Sequence, residues 1–168
     1  MPVIRRKGDI LNSDCPFICH QVNCQGVMDT GIGKTVKDKW PEVYRNYIHR
    51  WKSNEANDDV DSPLLGQIQV INLDESETCV INMFSQKHFG YDGSRYTSYD
   101  AFWGCLWRIR SSLPRGARVG FPARIGCGLG GGDWNLIQWM IEYVLGRDFD
   151  VEIWEWTDSH AFRAKESN

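Results

Sequence analysis

Two short apolar segments of this 168-residue chain each run into a glycine-rich loop that empties into a helix-like pattern. That pairing limits the possible folds more than any other feature. Residues 17–22 lead into Gln25-Gly26-Val27-Met28-Asp29-Thr30-Gly31-Ile32-Gly33-Lys34. Residues 118–121 lead into Pro122-Ala123-Arg124-Ile125-Gly126-Cys127-Gly128-Leu129-Gly130-Gly131-Gly132-Asp133-Trp134. Glycine reaches backbone angles closed to other residues and lets a ligand lie against the main chain. Unpaired N–H groups at a following helix start attract phosphate. A single glycine run is most simply a tight turn. Two runs at equivalent strand ends point to the carboxyl edge of an open α/β sheet, where such sheets bind ligands. The expected ligand has a phosphorylated middle gripped from both sides.

Neither loop has a familiar nucleotide signature. There is no G-x-x-x-x-G-K-[ST]; Gly33-Lys34-Thr35 has the ending without the loop. There is also no G-x-G-x-x-G followed about twenty residues on by an acidic side chain. The net charge of −3 and the absence of like-charge blocks argue against a general nucleic-acid binder, which needs a basic face. Phosphate would then be held by backbone dipoles, with Lys34, Lys87 or Arg124 nearby. Apolar residues make up 42% of the chain, enough for one core, so residues 1–156 are read as one domain and 157–168 as a polar tail. The six cysteines form no C-x-x-C pair, and the four histidines do not cluster with them. No metal or cofactor is therefore expected, and the thiols are read as reduced, in the cytoplasm. No leader or membrane-length apolar run is found, and a monomer is expected. Most of the eight tryptophans are assigned to packing, with one or two left as stacking faces.

Hydrophobic patterning places strands over 3–6, 16–22, 67–73, 79–84, 118–122 and 151–156. Helices are predicted over 34–40, from Pro41 through 42–51, over 99–109 and from Asp133 onward. In the last of these Leu136, Ile137, Met140, Ile141, Val144 and Leu145 fall at helical spacing. Residues 53–63 and 85–98 are loops, the second carrying Gln86, Lys87, Arg95 and Thr97. Strands alternating with helices, plus one hairpin-like pair, predict an α/β fold: a mixed sheet of about six strands between two helical layers.

Three segments carry a resemblance. Gly8-Asp9-Ile10-Leu11, Val22-Asn23-Cys24-Gln25-Gly26-Val27-Met28 and Ile125-Gly126-Cys127-Gly128-Leu129 resemble, in order, the macrodomain family, and the likeness runs from about residue 2 to 156. It is nearest to the branch of terminal ADP-ribose glycohydrolases, the antitoxin that reverses DNA ADP-ribosylation, and the ADP-ribose-1″-phosphate phosphatases. The resemblance implies a three-layer α/β/α macrodomain that binds ADP-ribose. Asp9 would accept a hydrogen bond from the adenine amino group, with the Ile10 amide facing the ring. Asn23 would contact the distal ribose. Amides of Gly26, Val27, Met28, Gly31 and Ile32, and of Gly126, Cys127, Gly128, Leu129 and Gly130, would wrap the diphosphate. Trp154 or Trp156 would pack on adenine; strand alternation does not separate them. Plainer roles stand beside these, Asp9 as a turn cap and Asn23 as a strand-end amide satisfying the backbone.

Departures from the family pattern bear on the chemistry. The glycohydrolase branch carries a lysine after its fourth strand, which forms a covalent sugar adduct, and an aspartate directly after Gly-Cys-Gly-Leu. Gln86 and Gly130 stand at those positions here, with Lys87 one residue late and so on the other face of an extended chain. Lysine chemistry is not expected. Asp29-Thr30-Gly31-Ile32 is similar in offset to a catalytic aspartate of the mono-ADP-ribosyl hydrolase branch. Asp29 would activate water or offset charge at C1″, or merely cap its loop. His20 resembles a histidine of the phosphatase subgroup; it would relay a proton, or be a buried core histidine. The resemblance therefore implies a metal-independent hydrolase at the ADP-ribose 1″ position, with Asp29, Asn23 and His20 as catalytic candidates. Its substrate would be ADP-ribose 1″-phosphate or an ADP-ribosylated macromolecule. A non-catalytic ADP-ribose reader is the alternative, and a sink for NAD-derived signals a third.

Overall fold

The computed structural model describes residues 3–54 and 62–157. Its strands are β1 (Ile4–Lys7), β2 (Phe17–Val22), β3 (Ile68–Asn72), β4 (Cys79–Phe84), β5 (Arg118–Pro122) and β6 (Asp150–Glu155). Its helices are α1 (Gly31–Lys39), α2 (Pro41–Asn54), α3 (Tyr99–Ser112) and α4 (Trp134–Leu145). The strands form one sheet in the order β1-β6-β5-β2-β4-β3. All neighbours run parallel except β3, which returns antiparallel to β4 as the hairpin-like pattern predicts.

Side-chain alternation on the central strands sets the layers. Cys19, Ile81 and Met83 face Phe102, Leu106 and Ile109 of α3 and Ile137 and Ile141 of α4. Ile18, Val22, Val80 and Phe84 point the other way, onto Val36 of α1 and Val43 and Tyr47 of α2. Each layer thus has its own apolar cluster, and the sheet is buried between them. Local chemistry starts the helices: Ser98 caps α3 by accepting from the Ala101 amide, and Asp133 caps α4 by accepting from the Asn135 amide. Pro41 opens α2, where its missing N–H costs nothing.

Parallel strands with returning helices gather the loops after β2, β4, β5 and β6 at one edge. Strands lie roughly 4.8 Å apart, so the span from β6 to β4 is about 14 Å. Two sequence expectations change. α1 begins at Gly31 rather than at residue 34, and Gly31 enters it at φ +58°, a left-handed angle that glycine takes without cost. Trp156 lies beyond the end of β6. The packing role expected of most tryptophans is met: Trp40, Trp51, Trp103, Trp134 and Trp154 pack against the two apolar clusters, while Trp107, Trp139 and Trp156 are exposed and none is fully buried, since so large a ring is seldom wholly enclosed. Of the polar tail, residues 158–168 lie outside the described residues, as do 55–61 of the loop over 53–63.

Candidate functional site

The carboxyl edge of the sheet holds a cleft of about 610 Å³. Its walls come from the chain after β1 (Asp9, Ile10), the loop after β2 (Asn23 and residues 27–33), the loop after β4 (Gln86, Phe89, Tyr91), the loop after β5 (residues 122–126 and 128–130) and the end of β6 (Trp154, Trp156). Most of the residues singled out in the sequence meet here. Of the catalytic and ligand-binding candidates, Gly26, Cys127 and His20 are not among the residues that line it, nor are Lys34 and Lys87.

The loop after β2 is shaped by a buried residue that sequence patterning had not flagged. Tyr47 of α2 is fully buried. Its hydroxyl lies 2.9 Å from the Asn23 carbonyl and 2.8 Å from Asn23 Oδ1, and it accepts from the Val27 amide at 3.1 Å. Burial pushes this phenol up from its ordinary range, so it remains a neutral donor. Asn23 Oδ1 also accepts from the Gln25 amide at 3.0 Å, and its Nδ2 donates to the Val27 carbonyl at 2.8 Å. Asn23 therefore braces the loop, the plainer of its two roles, while also lining the cleft. Gly26, at φ +75°, packs where a β-carbon would lie 2.8 Å from the Trp51 ring, so tertiary packing accounts for it.

Beyond the brace, Thr30 begins α1 without a side-chain hydrogen bond to the first turn, which carries no acidic residue. Gly31, Ile32 and Gly33 of the first turn line the cleft, and the helix dipole adds partial positive charge there. Asp29 is exposed beside them, its Oδ1 3.2 Å from Lys37 Nζ. Lys37 in turn lies 4.0 Å from the Tyr44 ring centroid.

The loop after β5 is closed on itself. The Gly126 carbonyl accepts from Thr97 Oγ1 at 2.7 Å and from the Gly132 amide at 2.8 Å. The Gly130 carbonyl accepts from the amides of Tyr96 and Thr97 at 2.8 and 2.9 Å. A β-carbon on Gly130 would lie 2.6 Å from both the Gly126 oxygen and Thr97 Oγ1, whereas one on Gly128 would meet nothing within 4 Å. The position where related glycohydrolases carry aspartate is thus too crowded for any side chain. Cys127 turns from the cleft and packs against the α3/α4 core, its Sγ 3.4 Å from the Ile125 carbonyl.

The crowding comes from an uncharged floor. Gln21 Nε2 lies 2.7 Å from Gln86 Oε1 and 2.9 Å from Thr97 Oγ1, and Ser85 Oγ donates to Gln21 Oε1 at 2.7 Å. Gln86, at the family's lysine position, is held at both ends of its amide, since its Nε2 donates to the His88 carbonyl at 2.8 Å. Lys87 does not line the cleft.

His20 is a correction to the catalytic set. It is completely buried on the α1/α2 face of β2, its Nε2 against Asn82 Oδ1 of the neighbouring strand. Its Nδ1 has no hydrogen-bond partner among the described residues. Burial pulls its pKa down to about 4, so it is a neutral core histidine.

At the opposite end, Asp9 caps a short 3₁₀ turn: Oδ1 accepts from the Leu11 amide and Oδ2 from Asn12 Nδ2, both at 2.9 Å. Its carboxylate is fixed at the cleft edge with lone pairs to spare. Both Trp154 and Trp156 line the cleft, so the structure keeps both. Trp154 is held by a residue that gave no signal in the sequence. Glu152, 1% exposed, accepts from Trp154 Nε1 at 3.2 Å, from Arg6 Nε at 2.9 Å and from Arg118 Nη2 at 3.0 Å. Burial opposes its charge, but hydrogen bonds from Arg118, Trp154 and Arg6 outweigh that and lower its pKa.

No protein-family model matches the chain. Over 133 residues it is 29% identical to the DNA ADP-ribosyl glycohydrolase of Mycobacterium tuberculosis, a match covering 78% of this chain and 35% of that one. The Mycobacterium bovis protein of the same name matches equally. The chain thus spans about a third of the length of the curated relatives it matches. Among solved structures, a protein of unknown function from Bacteroides thetaiotaomicron is 28% identical, with a TM-score of 0.76 covering 92% of this chain and 98% of that one. The macrodomain of Mycobacterium tuberculosis DarG is 23% identical, with a TM-score of 0.70 covering 94% and 100%. Thermosipho africanus DarTG in complex with ADP-ribose is 20% identical, with a TM-score of 0.69 covering 89% and 41%. The β1-β6-β5-β2-β4-β3 sheet between two helical layers, read with these likenesses, gives this chain the macrodomain fold.

Proposed function

We propose that the protein binds ADP-ribose in this cleft and hydrolyses a bond at its 1″ position, releasing ADP-ribose from a modified macromolecule or phosphate from ADP-ribose 1″-phosphate. The observation that carries the reading is the middle of the cleft. The uncapped first turn of α1 and the open face at Gly128 come from the adjacent strands β2 and β5, and offer a diphosphate backbone amides from both sides. Trp154, Trp156 and Asp9 at one end suit an adenine: an aromatic face, and a fixed carboxylate for an exocyclic amine. The solved complex of DarTG with ADP-ribose and the activity named for the mycobacterial relatives support the same ligand.

Hydrolysis assigns a role to Asp29, the carboxylate beside the α1 end of the cleft. Water attacks C1″, its proton passes to Asp29, the C1″–O or C1″–N bond breaks, and the electron pair leaves with the departing group. A non-catalytic reader is the second reading. It is favoured by Gln86 and Gly130, which put an amide and a bare backbone where related glycohydrolases place lysine and aspartate.

The test is direct. ADP-ribose should bind well ahead of AMP in calorimetry. ADP-ribose 1″-phosphate, ADP-ribosylated protein and an ADP-ribosylated oligonucleotide are then followed for product release. Asp29→Ala should lower turnover by ~10²–10⁴-fold, the range for a lost general base. No release from any of the three by the parent protein leaves the reader standing; no ADP-ribose binding removes both readings.

A further inference from the structure

We infer that the outer face of α3 and α4 is where two copies of this chain pair about a two-fold axis, leaving both clefts open. The pairing replaces the monomer expected from the sequence and is independent of the ADP-ribose reading.

A cluster of rings stands on that face. Trp103 stacks on Trp139 and Tyr143 with centroids 6.2 and 5.7 Å apart, and Trp139 stacks on Tyr143 at 5.2 Å. Trp107 meets Trp103 edge to face at 6.1 Å, and the Arg110 guanidinium lies 5.0 Å from the Trp107 ring centroid. Trp107, Trp139 and Tyr143 are 39%, 53% and 60% exposed, and Leu136, one turn before Trp139, is 38% exposed. These four belong to neither apolar cluster and do not line the cleft. Core packing and ligand binding therefore leave them without a role.

Their size points to an interface. At ~200 Å² per aromatic residue, they leave on the order of 400 Å² of apolar surface in water, the scale at which a contiguous patch marks an interaction site. A standard interface takes about 800 Å² from each partner, with an aromatic centre, added arginines and a polar rim. The rings supply the centre here, and the charged residues around them the rim. Rings already stacked on one another give up little entropy when a partner covers them.

Charge selects the partner. The two helices run side by side in one direction: Trp103 stacks on Trp139, while Arg110 further along α3 reaches the Val144 carbonyl and Asp148 just beyond α4. Their N-terminal end carries Asp100 and Asp133 against Arg95, which lies over the Tyr99 ring. Their C-terminal end carries Arg108, Arg110, Arg115 and Arg147 against Glu142 and Asp148. One end is net acidic and the other net basic, with the rings between. A two-fold axis lying in the interface and crossing the helices lays α3 against α3 and α4 against α4 with directions reversed. Each acidic end then meets a basic one, and the rings meet rings. Asp100 and Arg108, both exposed and two turns apart on one stripe of α3, face each other across the axis in both directions.

Sedimentation equilibrium on the full chain should show monomer and dimer in exchange at micromolar concentration. Tyr143→Glu should leave only monomer. Arg108→Glu and Asp100→Arg should each weaken pairing about tenfold, because each sets like charges opposite one another at two contacts. An equimolar mixture of those two variants should regain the parental affinity, since the mixed dimer has opposite charges at both contacts. Thermal melts followed by circular dichroism check that each variant is folded. A monomer at every concentration would overturn the inference and leave the face to a different partner. A folded Tyr143→Glu that still dimerises would overturn it too, as would charge variants whose mixture pairs no better than either alone.

Discussion

The two glycine loops look alike in the sequence and differ physically in the fold. The first is open. Its amides end in an uncapped helix turn, and its shape depends on one tyrosine and one asparagine below it. The second is closed: the carbonyls of Gly126 and Gly130 are each shared by two donors, and β-carbons on Gly126, Gly130, Gly131 and Gly132 would come within 3.0 Å of neighbouring atoms. In the first loop Gly31 and Gly33 leave a ligand room, and only Gly26, against Trp51, is required by packing. In the second, glycine is required mostly by the protein's own packing, with Gly128 the position that faces open space. A glycine run by itself does not say which of these it is.

The largest expected effect would break the contrast if it failed. Gly130→Ala places a β-carbon 2.6 Å from a backbone carbonyl that cannot retreat without losing the Gly132 amide. It should cost about 3 kcal/mol of stability, at the upper end for overpacking, seen as a lower denaturation midpoint. If Gly130→Ala were as stable as the parent, the second loop would be as open as the first.

The strand beneath the first loop gives an effect of similar size. His20 is neutral in the fold, with its pKa at about 4, while the unfolded chain takes up a proton near pH 6.5. Above that pH it is neutral in both states and contributes nothing. As pH falls from 6.5 toward 4 the unfolded state alone gains the proton, so stability drops, by on the order of 3 kcal/mol. Denaturation at pH 7 and pH 4.5 should show a smaller drop in His20→Gln than in the parent. Equal drops would place the titration elsewhere.

The contrast sharpens at Gly128. Gly128→Val should leave the denaturation midpoint within error, because its side chain enters empty space, yet weaken ADP-ribose binding about a hundredfold by filling the approach to the main chain. Tyr47→Phe should act on the first loop alone, leaving the Val27 amide without its phenolic acceptor. About 1–2 kcal/mol of stability should be lost, with a several-fold loss in ligand affinity. The smallest effect is at the exposed Lys37–Asp29 pair: Lys37→Ala should change stability by less than about 0.5 kcal/mol.

Much of this protein was legible from its residues. β4 and β5 were predicted with their observed bounds, because both are bounded by polar or turn residues and buried on two faces. Asp133 marked the start of α4, and the order of strands and helices was enough for a mixed sheet between two layers. That Asp9, Asn23, Asp29, Gly31, Gly128 and Trp156 would share one site was implied by the macrodomain resemblance; all six line one cleft, and parallel strands delivering their carboxyl ends to the same side are the physical reason. Chemistry-bearing side chains whose partners are distant in sequence could not be read. Tyr47 sits 24 residues from the Asn23 it braces, and the Gln21–Thr97 contact joins residues 76 apart. Glu152 faces an arginine 146 residues away. None carries a local pattern, because hydrogen bonds across a sheet depend on register and not on spacing along the chain. The same limit decided His20 and Gly130. The sequence left His20 between a proton relay, implied by the resemblance, and a buried core histidine, and left Gly130 as a missing aspartate; the neighbour on β4 settled the first as a core residue, and Thr97 with the Gly126 carbonyl made the second a place where no side chain fits.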